Sequence, residues 1–523
     1  MALIVVAEEI APTGLEMLVA AGHEVRLALG LEPRELRAAV ADANALVVRS
    51  ATQVDVALLE AAPRLVVVGR AGIGLDNVDV PAATRRGVVV VNAPHANVLS
   101  AAEHTFALLL AQARRLPEAQ ASLLAGRWER SAFEGVELHG KLLGIVGLGR
   151  VGSLVAARAQ AFGMRVLGHD PYLAPERARQ LGVELVSLGE LVRRSDFLSV
   201  HLPRTAETRG LIGEEVLAAA KPGLVVVNAA RGGVVDEAAV AAGIRAGRLG
   251  GAAFDVFESE PPASSPLFGL PGVVVTPHLG ASTREAQDKA ATTVAEQVVG
   301  ALAGELVPFA VNLPAAQPSE GVRPFVGLAR SLGRVLASLS GRLPDGLEVA
   351  YEGRLAEADT GVLTLSVLAG VLAASTEMSV SFVNVDQLAA ERGLTVRESR
   401  VTGATEYVNL VAVRGGGHAV AGTITGPREE ARIVMVDDHR VELPPAPHLL
   451  VVRNDDRPGM IGRVGTVLGD SAVSISSMAV GPSADGSSAL MVLSTDRPVP
   501  ELALEILRAT PGIHSVHAAT ASD

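Results

Sequence analysis

Short apolar runs alternate with longer stretches of helical periodicity through the N-terminal part of the chain. Apolar runs of about four to eight residues, bounded by glycine or polar residues, are typical of buried strands. The alternation predicts a parallel α/β architecture, because the helix between two parallel strands covers one face of their sheet. A capping box at residues 282–285 is expected to open a further helix. We predict strands at residues 2–6, 24–27, 45–49, 65–69, 88–92, 142–146, 165–168, 197–202, 224–228, 251–256 and 273–276, and helices at 14–21, 32–42 and 101–112.

The pattern changes at a linker marked by Pro308, Pro314 and Pro318. Beyond it, helices and strands no longer alternate regularly, and the glycines at 415–417 predict a hairpin turn. A second proline-rich break, at residues 444–447, precedes a compact βαββα pattern. We predict helices at residues 324–339, 361–373, 386–392, 461–468 and 501–508, and strands at 347–351, 406–413, 419–424, 449–453, 473–478 and 488–494.

Composition narrows the classes of function. The chain has 523 residues, enough for about three or four domains, with a formal net charge of −12 and no cysteine. The negative charge argues against a nucleic-acid partner, and the lack of cysteine excludes disulfides, thiol nucleophiles and cysteine metal sites; we predict no bound metal. The N-terminus lacks the basic region of a signal peptide, and the uncharged stretch 360–376 is shorter than the roughly 18–20 residues that span a bilayer. We therefore expect no membrane association and a cytoplasmic location.

Residues 142–170 combine a predicted strand, a glycine-rich turn, a helix, a second strand and an acidic residue. In such units the first glycine permits a tight turn, the second lets the backbone approach a pyrophosphate, and the third lets helix and strand pack closely. Asp170 is placed to bind ribose hydroxyls and would repel a 2′-phosphate, so we predict NAD rather than NADP. The alternative is an αβ turn without a ligand. The predicted cofactor-binding residues of this unit are Gly147, Gly149, Arg150, Val151, Gly152, Asp170 and Pro171.

Three later loops each place a charged or titratable side chain after a predicted strand, namely Arg231, Glu260 and His278. Ligands of parallel α/β sheets bind at the carboxyl ends of strands, so these side chains could converge. Oxidation of a secondary alcohol needs a base for the hydroxyl proton, and histidine suits that role near neutral pH. A carboxylate would orient the imidazole, and an arginine would bind a substrate carboxylate. Taken singly, His278 could instead be a capped loop residue, Arg231 could form a surface ion pair, and Glu260 could belong to a turn.

The chain resembles the D-2-hydroxyacid dehydrogenase family in four segments: GLGRVG, NAARGGVVDEAAV, AAFDVFESEPP and TPHLGASTREAQ. By that resemblance, His278 is the acid/base, Glu260 is its carboxylate partner and Arg231 binds the substrate. The resemblance also places Asp255 near the nicotinamide carboxamide. The further cofactor-binding residues that it implies are His201, Pro203, Thr208, Ala229 and Gly280.

The resemblance implies an α/β fold with a discontinuous first domain. A Rossmann-type doubly wound nucleotide-binding domain would be inserted in a flavodoxin-like substrate domain. An α+β intervening domain and a ferredoxin-like ACT domain would follow. We expect a substrate-binding domain at residues 1–96 and 283–310, an NAD-binding domain at 97–282, an intervening allosteric domain at 318–445 and an ACT domain at 448–523.

The substrate end resembles the branch of the family that oxidises 3-phosphoglycerate to 3-phosphohydroxypyruvate, the first step of L-serine biosynthesis. The segments concerned are VRS at 48–50, VGRAGIGLDNVD at 68–79 and WER at 128–130. A substrate with a dianionic phosphate and a carboxylate needs several cations, although each arginine alone could equally be a surface salt bridge. By the resemblance, Arg130 reaches in from a neighbouring subunit of a homo-oligomer, a dimer or tetramer. The predicted substrate-binding residues are Arg49, Ser50, Arg70, Gly72, Ile73, Gly74 and Arg130.

Residues 320–445 resemble the intervening domain of long family members, and residues 448–520 resemble an ACT domain. An ACT domain is an amino-acid-sensing module, so the resemblance implies a small-molecule effector. Ser474 stands where serine-sensing relatives usually carry Asn, and Asn454 where they often carry His or Tyr, so we expect weak or absent inhibition by L-serine. A four-stranded sheet with helices on one face leaves an edge or face to cover, so we expect this domain to bind a ligand or to pair with another subunit.

Two other functions are compatible with the motifs. A glyoxylate or hydroxypyruvate reductase, or another D-2-hydroxyacid dehydrogenase, would share the fold, but such enzymes usually end before the C-terminal regions. An NAD-sensing regulator would share it too, but such proteins lose catalytic groups, whereas Arg231, Glu260 and His278 are all present.

Overall fold

The computed structural model describes residues 1–313, 318–373, 380–403, 406–483 and 488–520. Among the sequence predictions, Pro314, residues 374–376 of the uncharged stretch and the end of the ACT region at 521–523 lie outside these ranges. The described residues form four sheets, which follow one another along the chain. None of the helices in these ranges is long and apolar enough to cross a membrane.

The first sheet has five parallel strands in the order β2-β1-β3-β4-β5, the flavodoxin-like order. The order reverses between β1 and β3, so the carboxyl ends of these two strands border the crevice in which ligands of such sheets bind. The elements are β1 (Leu3–Val6), α1 (Pro12–Ala20), β2 (Glu24–Leu27), α2 (Pro33–Ala39), β3 (Ala45–Val48), α3 (Val56–Ala61), β4 (Val67–Arg70), α4 (Val80–Arg85) and β5 (Val89–Asn92).

The second sheet has seven parallel strands in the order β12-β11-β10-β9-β6-β7-β8, the doubly wound order of dinucleotide-binding folds with one further strand. Its central strands are buried on both faces. Ile145 packs towards α5 and α7, and Val146 packs towards the opposite layer. The elements are α5 (Val98–Ala113), α6 (Leu116–Leu124), a 3₁₀ helix (Arg130–Phe133), β6 (Leu142–Val146), α7 (Arg150–Ala161), β7 (Arg165–His169), α8 (Pro175–Gln180), β8 (Glu184–Leu185), α9 (Leu188–Arg194), β9 (Phe197–Val200), α10 (Glu214–Ala218), β10 (Leu224–Asn228), α11 (Glu237–Arg245), β11 (Leu249–Phe254) and β12 (Val273–Val275).

The chain then returns to the first sheet through α12 (Arg284–Leu302), which packs on the same face as α1. The two helices approach closely, since a Cβ at Gly14 would lie 2.8 Å from the Cβ of Ala291. The expected capping box with Ser282 as N-cap is wrong. The helix begins one residue later, and the Thr283 side chain caps it by accepting a hydrogen bond from the Ala286 N–H at 3.1 Å.

The third sheet has six strands in the order β14-β13-β15-β16-β17-β18, antiparallel except for the pair β13 and β14. The predicted hairpin turn is confirmed, because Gly416 and Gly417 have φ angles of 60° and 85° between paired strands. The elements are α13 (Phe325–Ser340), β13 (Gly346–Gly353), a 3₁₀ helix (Arg354–Glu357), α14 (Gly361–Ala373), α15 (Val385–Glu391), β14 (Thr395–Val401), β15 (Asn409–Gly415), β16 (His418–Thr425), β17 (Glu430–Val436) and β18 (His439–Leu443).

The fourth sheet is antiparallel, with the ferredoxin-like order β20-β21-β19-β22. Successive residues of β19 face opposite ways: Leu450 packs against the helices of this region, and Val451 joins the core formed around α13. The face of this sheet that does not contact its own helices is therefore covered by the preceding region of the chain. For this reason, this face does not support the predicted ligand or second subunit. The elements are β19 (His448–Asp455), α16 (Met460–Asp470), β20 (Ile475–Pro482), β21 (Ser488–Thr495), α17 (Glu501–Ala509) and β22 (Ile513–Thr520).

Candidate active site

A cleft of about 690 Å³ opens between the first two sheets, at the carboxyl ends of their strands. Parallel strands that end at a common edge bring their following loops together, which is why distant segments meet here. The cleft includes the three side chains predicted for catalysis and most of those predicted for the substrate. The predicted residues that line it are Arg49, Ser50, Arg70, Gly72, Ile73, Gly74, Arg231, Glu260 and His278.

The His278 imidazole and the Glu260 carboxylate form a hydrogen-bonded pair, with 2.6 Å between Nδ1 and Oε2. The other carboxylate oxygen accepts a hydrogen bond from the Phe257 N–H at 3.0 Å. The hydrogen bond to Glu260 raises the pKa of His278, although burial acts in the opposite direction. Burial would raise the pKa of Glu260, but the hydrogen bonds from His278 and Phe257 outweigh it and lower that pKa. An ionised carboxylate at Nδ1 leaves Nε2 as the nitrogen that can exchange a proton with a substrate.

The loop that carries His278 is held by the buried Asp255 carboxylate. His278 has a left-handed backbone conformation, with φ of 54°, which is uncommon for a residue with a side chain. Asp255 accepts hydrogen bonds from the Thr276 hydroxyl at 2.6 Å and from the N–H groups of Leu279 and Gly280 at 2.7 and 2.8 Å. These bonds flank His278 on both sides. Asp255 has no exposed surface, and its expected contact with nicotinamide stays a prediction.

Arg231 follows β10, and Asn228 at the end of that strand shapes its loop. The Asn228 side chain donates to the Arg231 carbonyl at 3.0 Å and accepts from the Ala230 N–H at 3.1 Å. The Arg231 guanidinium lies in the cleft, with Nε 3.8 Å from the Asp76 carboxylate. Asp76 is 72% exposed, so this ion pair contributes little and leaves Arg231 available to an anion.

Arg70 ends β4 and has an incompletely satisfied guanidinium. Its Nε is buried without a hydrogen-bond partner among the described residues. Burial and the nearby positive charge of Arg231 lower the pKa of Arg70 from its ordinary value. Its Nη1 lies 1.9 Å from the place of a Cβ at Gly72, so any side chain there would displace the guanidinium. A bound anion would satisfy the free donor and offset the repulsion between the arginines.

The glycine turn before α7 is too closely packed for a side chain at its first and third glycines and is open at its second. Gly147 has φ of 90°, and a Cβ there would lie 2.7 Å from the His201 carbonyl. A Cβ at Gly152 would lie 2.0 Å from the Gly147 carbonyl, so helix and turn pack too closely for a side chain. Gly149, in contrast, faces open space at the N-terminus of α7, which none of the described side chains caps. These features fit a pyrophosphate at the helix N-terminus.

Asp170 follows β7 and lies against the same turn. One of its carboxylate oxygens accepts from the Leu148 N–H at 2.9 Å, and the other accepts from the Tyr172 N–H at 3.0 Å. Each oxygen retains a lone pair for a ribose hydroxyl. The carboxylate therefore lies where the adenosine end of a dinucleotide would follow the pyrophosphate.

The remaining predicted cofactor residues surround this turn. The Arg150 guanidinium donates to the Pro94 carbonyl at 3.1 Å. Burial lowers the pKa of His201 to about 4, so its imidazole is neutral near pH 7, and it contacts the Ser199 hydroxyl at 2.8 Å. The Thr208 hydroxyl donates to the Pro203 carbonyl at 2.6 Å. Val151, Pro171, Ala229 and Gly280 make no distinctive polar side-chain contribution, so their cofactor contacts stay predictions.

Arg130 is the one predicted substrate residue that lies apart from the other described ones. It begins an exposed 3₁₀ helix and does not line the cleft. Its approach from a neighbouring subunit stays a prediction.

Several residues of the cleft were not predicted from the sequence. Asp76, Asn97 and Arg204 follow β4, β5 and β9, so the strand-end rule that found the others would also have found them. Asn97 Oδ1 is buried and has no hydrogen-bond partner among the described residues. Behind the cleft, His104 Nε2 lies 3.1 Å from the Asp255 carboxylate, a contact between α5 and the loop after β11 that has no sequence signal.

The chain matches three family models in succession. Residues 106–280 match the NAD binding domain of D-isomer specific 2-hydroxyacid dehydrogenases. Residues 321–437 match the D-3-phosphoglycerate dehydrogenase intervening domain, and residues 448–512 match the ACT domain. With the His278–Glu260 pair and Arg231 in one cleft, the first match defines the class: an NAD-dependent dehydrogenase of 2-hydroxy acids.

Full-length relatives narrow the class. The chain is 49% identical over 503 residues to D-3-phosphoglycerate dehydrogenase of Mycobacterium tuberculosis, with 95% of each chain covered. A relative of the same name from Archaeoglobus fulgidus is 42% identical, with 97% of each chain covered. Another, from Bacillus subtilis, is 40% identical, with 90% of this chain and 91% of its own covered. The chain therefore belongs to the D-3-phosphoglycerate dehydrogenase family.

Solved structures resemble more than half of the chain. A protein from Thermus thermophilus is 36% identical with a TM-score of 0.56, covering 59% of this chain and 99% of its own. A glyoxylate reductase from Paecilomyes thermophila is 29% identical with a TM-score of 0.54, covering 59% of this chain and 98% of its own.

Proposed function

We propose that this protein oxidises 3-phospho-D-glycerate at C2 to 3-phosphohydroxypyruvate with NAD, the first step of L-serine biosynthesis. The observation that supports this function best is the content of one cleft. It combines a histidine–carboxylate pair with four arginines, Arg49, Arg70, Arg204 and Arg231. A substrate that carries both a carboxylate and a phosphate matches a cleft with several cations.

His278 is the proposed general base. Glu260 holds its Nδ1, so Nε2 takes the proton of the C2 hydroxyl as the alcohol is oxidised. The negative carboxylate then stabilises the imidazolium that forms. In the reverse direction the same nitrogen returns the proton, so the pair acts as acid and base in turn.

Arg231 is the proposed partner of the substrate carboxylate and of the developing carbonyl. Its guanidinium carries donors in a fixed fork, which can bind a carboxylate and polarise an adjacent oxygen. Arg49 and Arg70 are the proposed partners of the phosphate at the other end of the molecule. Two anionic groups held at opposite ends orient C2 between them, which is the positional part of catalysis.

When bound, NAD supplies the carbon that accepts the hydride from C2. The turn at Gly147 to Gly152 and the N-terminus of α7 are proposed to hold its pyrophosphate, and Asp170 its adenine ribose. The Asp170 carboxylate repels a 2′-phosphate, which favours NAD over NADP.

The proposal extends to the assembly and the division of the chain. We propose a homo-oligomer, because Leu123, Leu124 and Trp128 are 57%, 81% and 77% exposed around the segment that carries Arg130. The four domains given above, an effector for the ACT region and a cytoplasmic location stay predictions.

Steady-state turnover with a panel of 2-hydroxy acids tests the function. NADH formation is followed with 3-phospho-D-glycerate, D-glycerate, D-lactate and glycolate, with NADPH formation as the cofactor comparison. We expect the highest kcat/KM for the phosphorylated acid with NAD. A higher value for an unphosphorylated acid would favour another D-2-hydroxyacid dehydrogenase, and no turnover of any acid would favour a binding protein.

A further inference from the structure

The Glu8 carboxylate binds the backbone of a single loop. Glu8 follows β1, and its oxygens accept hydrogen bonds from the N–H groups of Arg49 at 2.8 Å, Ala51 at 3.1 Å and Thr52 at 2.9 Å. Hydrogen bonds to an ionised acceptor are stronger than those between neutral groups. One side chain thus fixes three of the four amides between residues 49 and 52.

Asn77 holds the same loop from its carbonyl side. Its side-chain amide donates to the Arg49 carbonyl at 2.9 Å and to the Thr52 carbonyl at 2.6 Å, and the residue is buried. The loop lies outside any helix or strand, so these two side chains supply hydrogen bonds that regular structure would otherwise provide. The loop presents Arg49 and Ser50 to the cleft.

The position of Glu8 in the first sheet explains why a carboxylate can bind this loop. Glu8 lies after β1 and the loop lies after β3, at the reversal of strand order in the first sheet. Backbone amides at such a crevice commonly bind a ligand anion. Glu8 occupies these amides with a carboxylate of the chain itself, and the three bonds outweigh the effect of burial and lower the pKa of Glu8. These three amides are therefore not available to a substrate phosphate, which can bind the nearby guanidinium groups instead.

We propose that Glu8 is a positioning residue for the substrate phosphate, because it holds the 49–52 loop so that Arg49 faces the cleft. The inference rests on the proposed function, in which Arg49 binds the phosphate. Two effects of Glu8 on an anionic substrate have opposite signs. Its negative charge alone repels the phosphate, whereas its bonds to the loop place the arginine that attracts it. Removal of the charge therefore distinguishes positioning from simple electrostatics.

The test compares Glu8→Gln with Glu9→Gln. Glu9 is the neighbouring exposed acid. Its backbone carbonyl accepts a hydrogen bond from Arg49 Nη1 at 3.3 Å, but its side chain makes no hydrogen bond or ion pair in the described part of the chain. Glu9→Gln therefore keeps this backbone contact and controls for the loss of one charge. We expect Glu8→Gln to raise KM for 3-phospho-D-glycerate about tenfold with kcat nearly unchanged, as expected when binding contacts are lost. KM for D-glycerate should change little, and Glu9→Gln should leave both values at or below those of the wild type.

A lower or unchanged KM for the phosphorylated substrate in Glu8→Gln would overturn the proposal. An equal rise for both substrates would also overturn it, since that result indicates a general loss of structure. Glu8→Asp keeps the charge but shortens the side chain, so we expect a KM between those of the wild type and Glu8→Gln. If Glu8→Gln does not fold, Glu8→Asp tests the proposal by itself: a raised KM for the phosphorylated substrate with the charge retained supports positioning, and an unchanged KM overturns it.

Amide hydrogen exchange tests whether Glu8 holds the 49–52 loop, independently of the proposed function. Peptides covering residues 49–52 should exchange faster in Glu8→Gln than in the wild type or in Glu9→Gln, whatever the substrate is. Unchanged exchange would show that Glu8 does not hold the loop. Absence of wild-type turnover with 3-phospho-D-glycerate, together with faster exchange, would instead contradict the proposed function and with it the role assigned to Arg49.

Discussion

His278 shows how single residues in this protein depend on what surrounds them. Its backbone conformation is unfavourable for most residues, yet the Asp255 carboxylate binds the loop on both sides of it. Its imidazole is oriented by Glu260, which also raises its pKa. The proton chemistry therefore depends on two carboxylates, one that holds the loop and one that contacts the ring.

Replacement of Glu260 should move the pH dependence of the reaction. Glu260→Gln removes the charge that raises the pKa of His278, so that pKa should fall. Oxidation needs neutral His278, so the acid limb of kcat/KM against pH should move to lower pH, with kcat reduced about tenfold or more. Glu258→Gln is the matched control in the same loop, because Glu258 pairs with Arg209 instead. An acid limb that stays in place or moves to higher pH would exclude Glu260 as the partner that sets this pKa.

Asp170 should determine the choice of cofactor. The double variant Asp170→Ala, Pro171→Arg removes a charge that repels the 2′-phosphate and adds one that attracts it. The ratio of kcat/KM for NAD to that for NADP should fall by about tenfold or more, as expected for a change of about 1.4 kcal/mol. Affinity for NAD should also decrease, since Asp170 binds the Leu148 N–H of the glycine turn. A wild type that already prefers NADP would refute this interpretation.

Arg49 and Arg70 should recognise the phosphate rather than stabilise the fold. Replacement of either residue by Ala should lower kcat/KM for 3-phospho-D-glycerate by about tenfold or more relative to D-glycerate, since a hydrogen bond to a charged group contributes about 1.5–3 kcal/mol. Arg64→Ala removes the same charge from an exposed position outside the cleft and should change neither substrate. Equal losses on both substrates would argue against phosphate recognition.

The site was only partly predictable from sequence, for a physical reason. Arg231 and His278 follow strands directly, so the strand-end rule for parallel sheets identifies them. Glu8 also follows a strand, but its importance depends on hydrogen bonds to a loop that begins 41 residues later. His104 and Asp255 are 151 residues apart in sequence (255 − 104), and only the packing of α5 on the second sheet brings them into contact. Such contacts depend on tertiary packing rather than on local pattern.

At the scale of elements, hydrophobic pattern predicts the parallel sheets well and the third sheet less well. Strands β6, β9 and β10 are buried on both faces and appear as continuous apolar runs. In the third sheet, β14, β17 and β18 were not predicted from the sequence, and elsewhere the short β8 and the last strand, β22, were not predicted either. The strand β14 is an edge strand with mostly exposed residues, so no apolar run marks it. The strand β18 alternates buried and exposed residues over only five positions, which is a weak signal.

The ACT elements support a prediction about regulation. Asn454 at the end of β19 is buried, and its side-chain amide donates to the Asp455 carbonyl at 2.7 Å. Ser474 lies before β20 with its N–H bound to Asp496, and its hydroxyl replaces an amide's acceptor and two donors. We expect L-serine to inhibit weakly or not at all, because hydrogen bonds worth about 0.5–1.5 kcal/mol each are lost. Calorimetry and inhibition curves can check this, and micromolar inhibition would show that other residues provide the site.

For the whole molecule, the main difference from expectation lies in the C-terminal half. Residues 321–437 and 448–512 match separate family models, yet apolar residues of both regions form one core. The Ser338 hydroxyl on α13 also donates to the Ala518 carbonyl in β22 at 2.8 Å. A ligand that moved the ACT sheet would therefore move the intervening region with it. The sequence could not predict this shared core, because both surfaces look like ordinary half-buried faces.

The most direct test of the central claim follows the hydrogen at C2. The wild-type enzyme is incubated with NAD and 3-phospho-D-glycerate that carries deuterium at C2, and both products are analysed by mass spectrometry. We expect one deuterium in NADH, formed in a one-to-one ratio with unlabelled 3-phosphohydroxypyruvate, and a loss of about 10²–10⁴-fold in this transfer in His278→Ala. Unlabelled NADH, no NADH, or full transfer in His278→Ala would contradict the central claim.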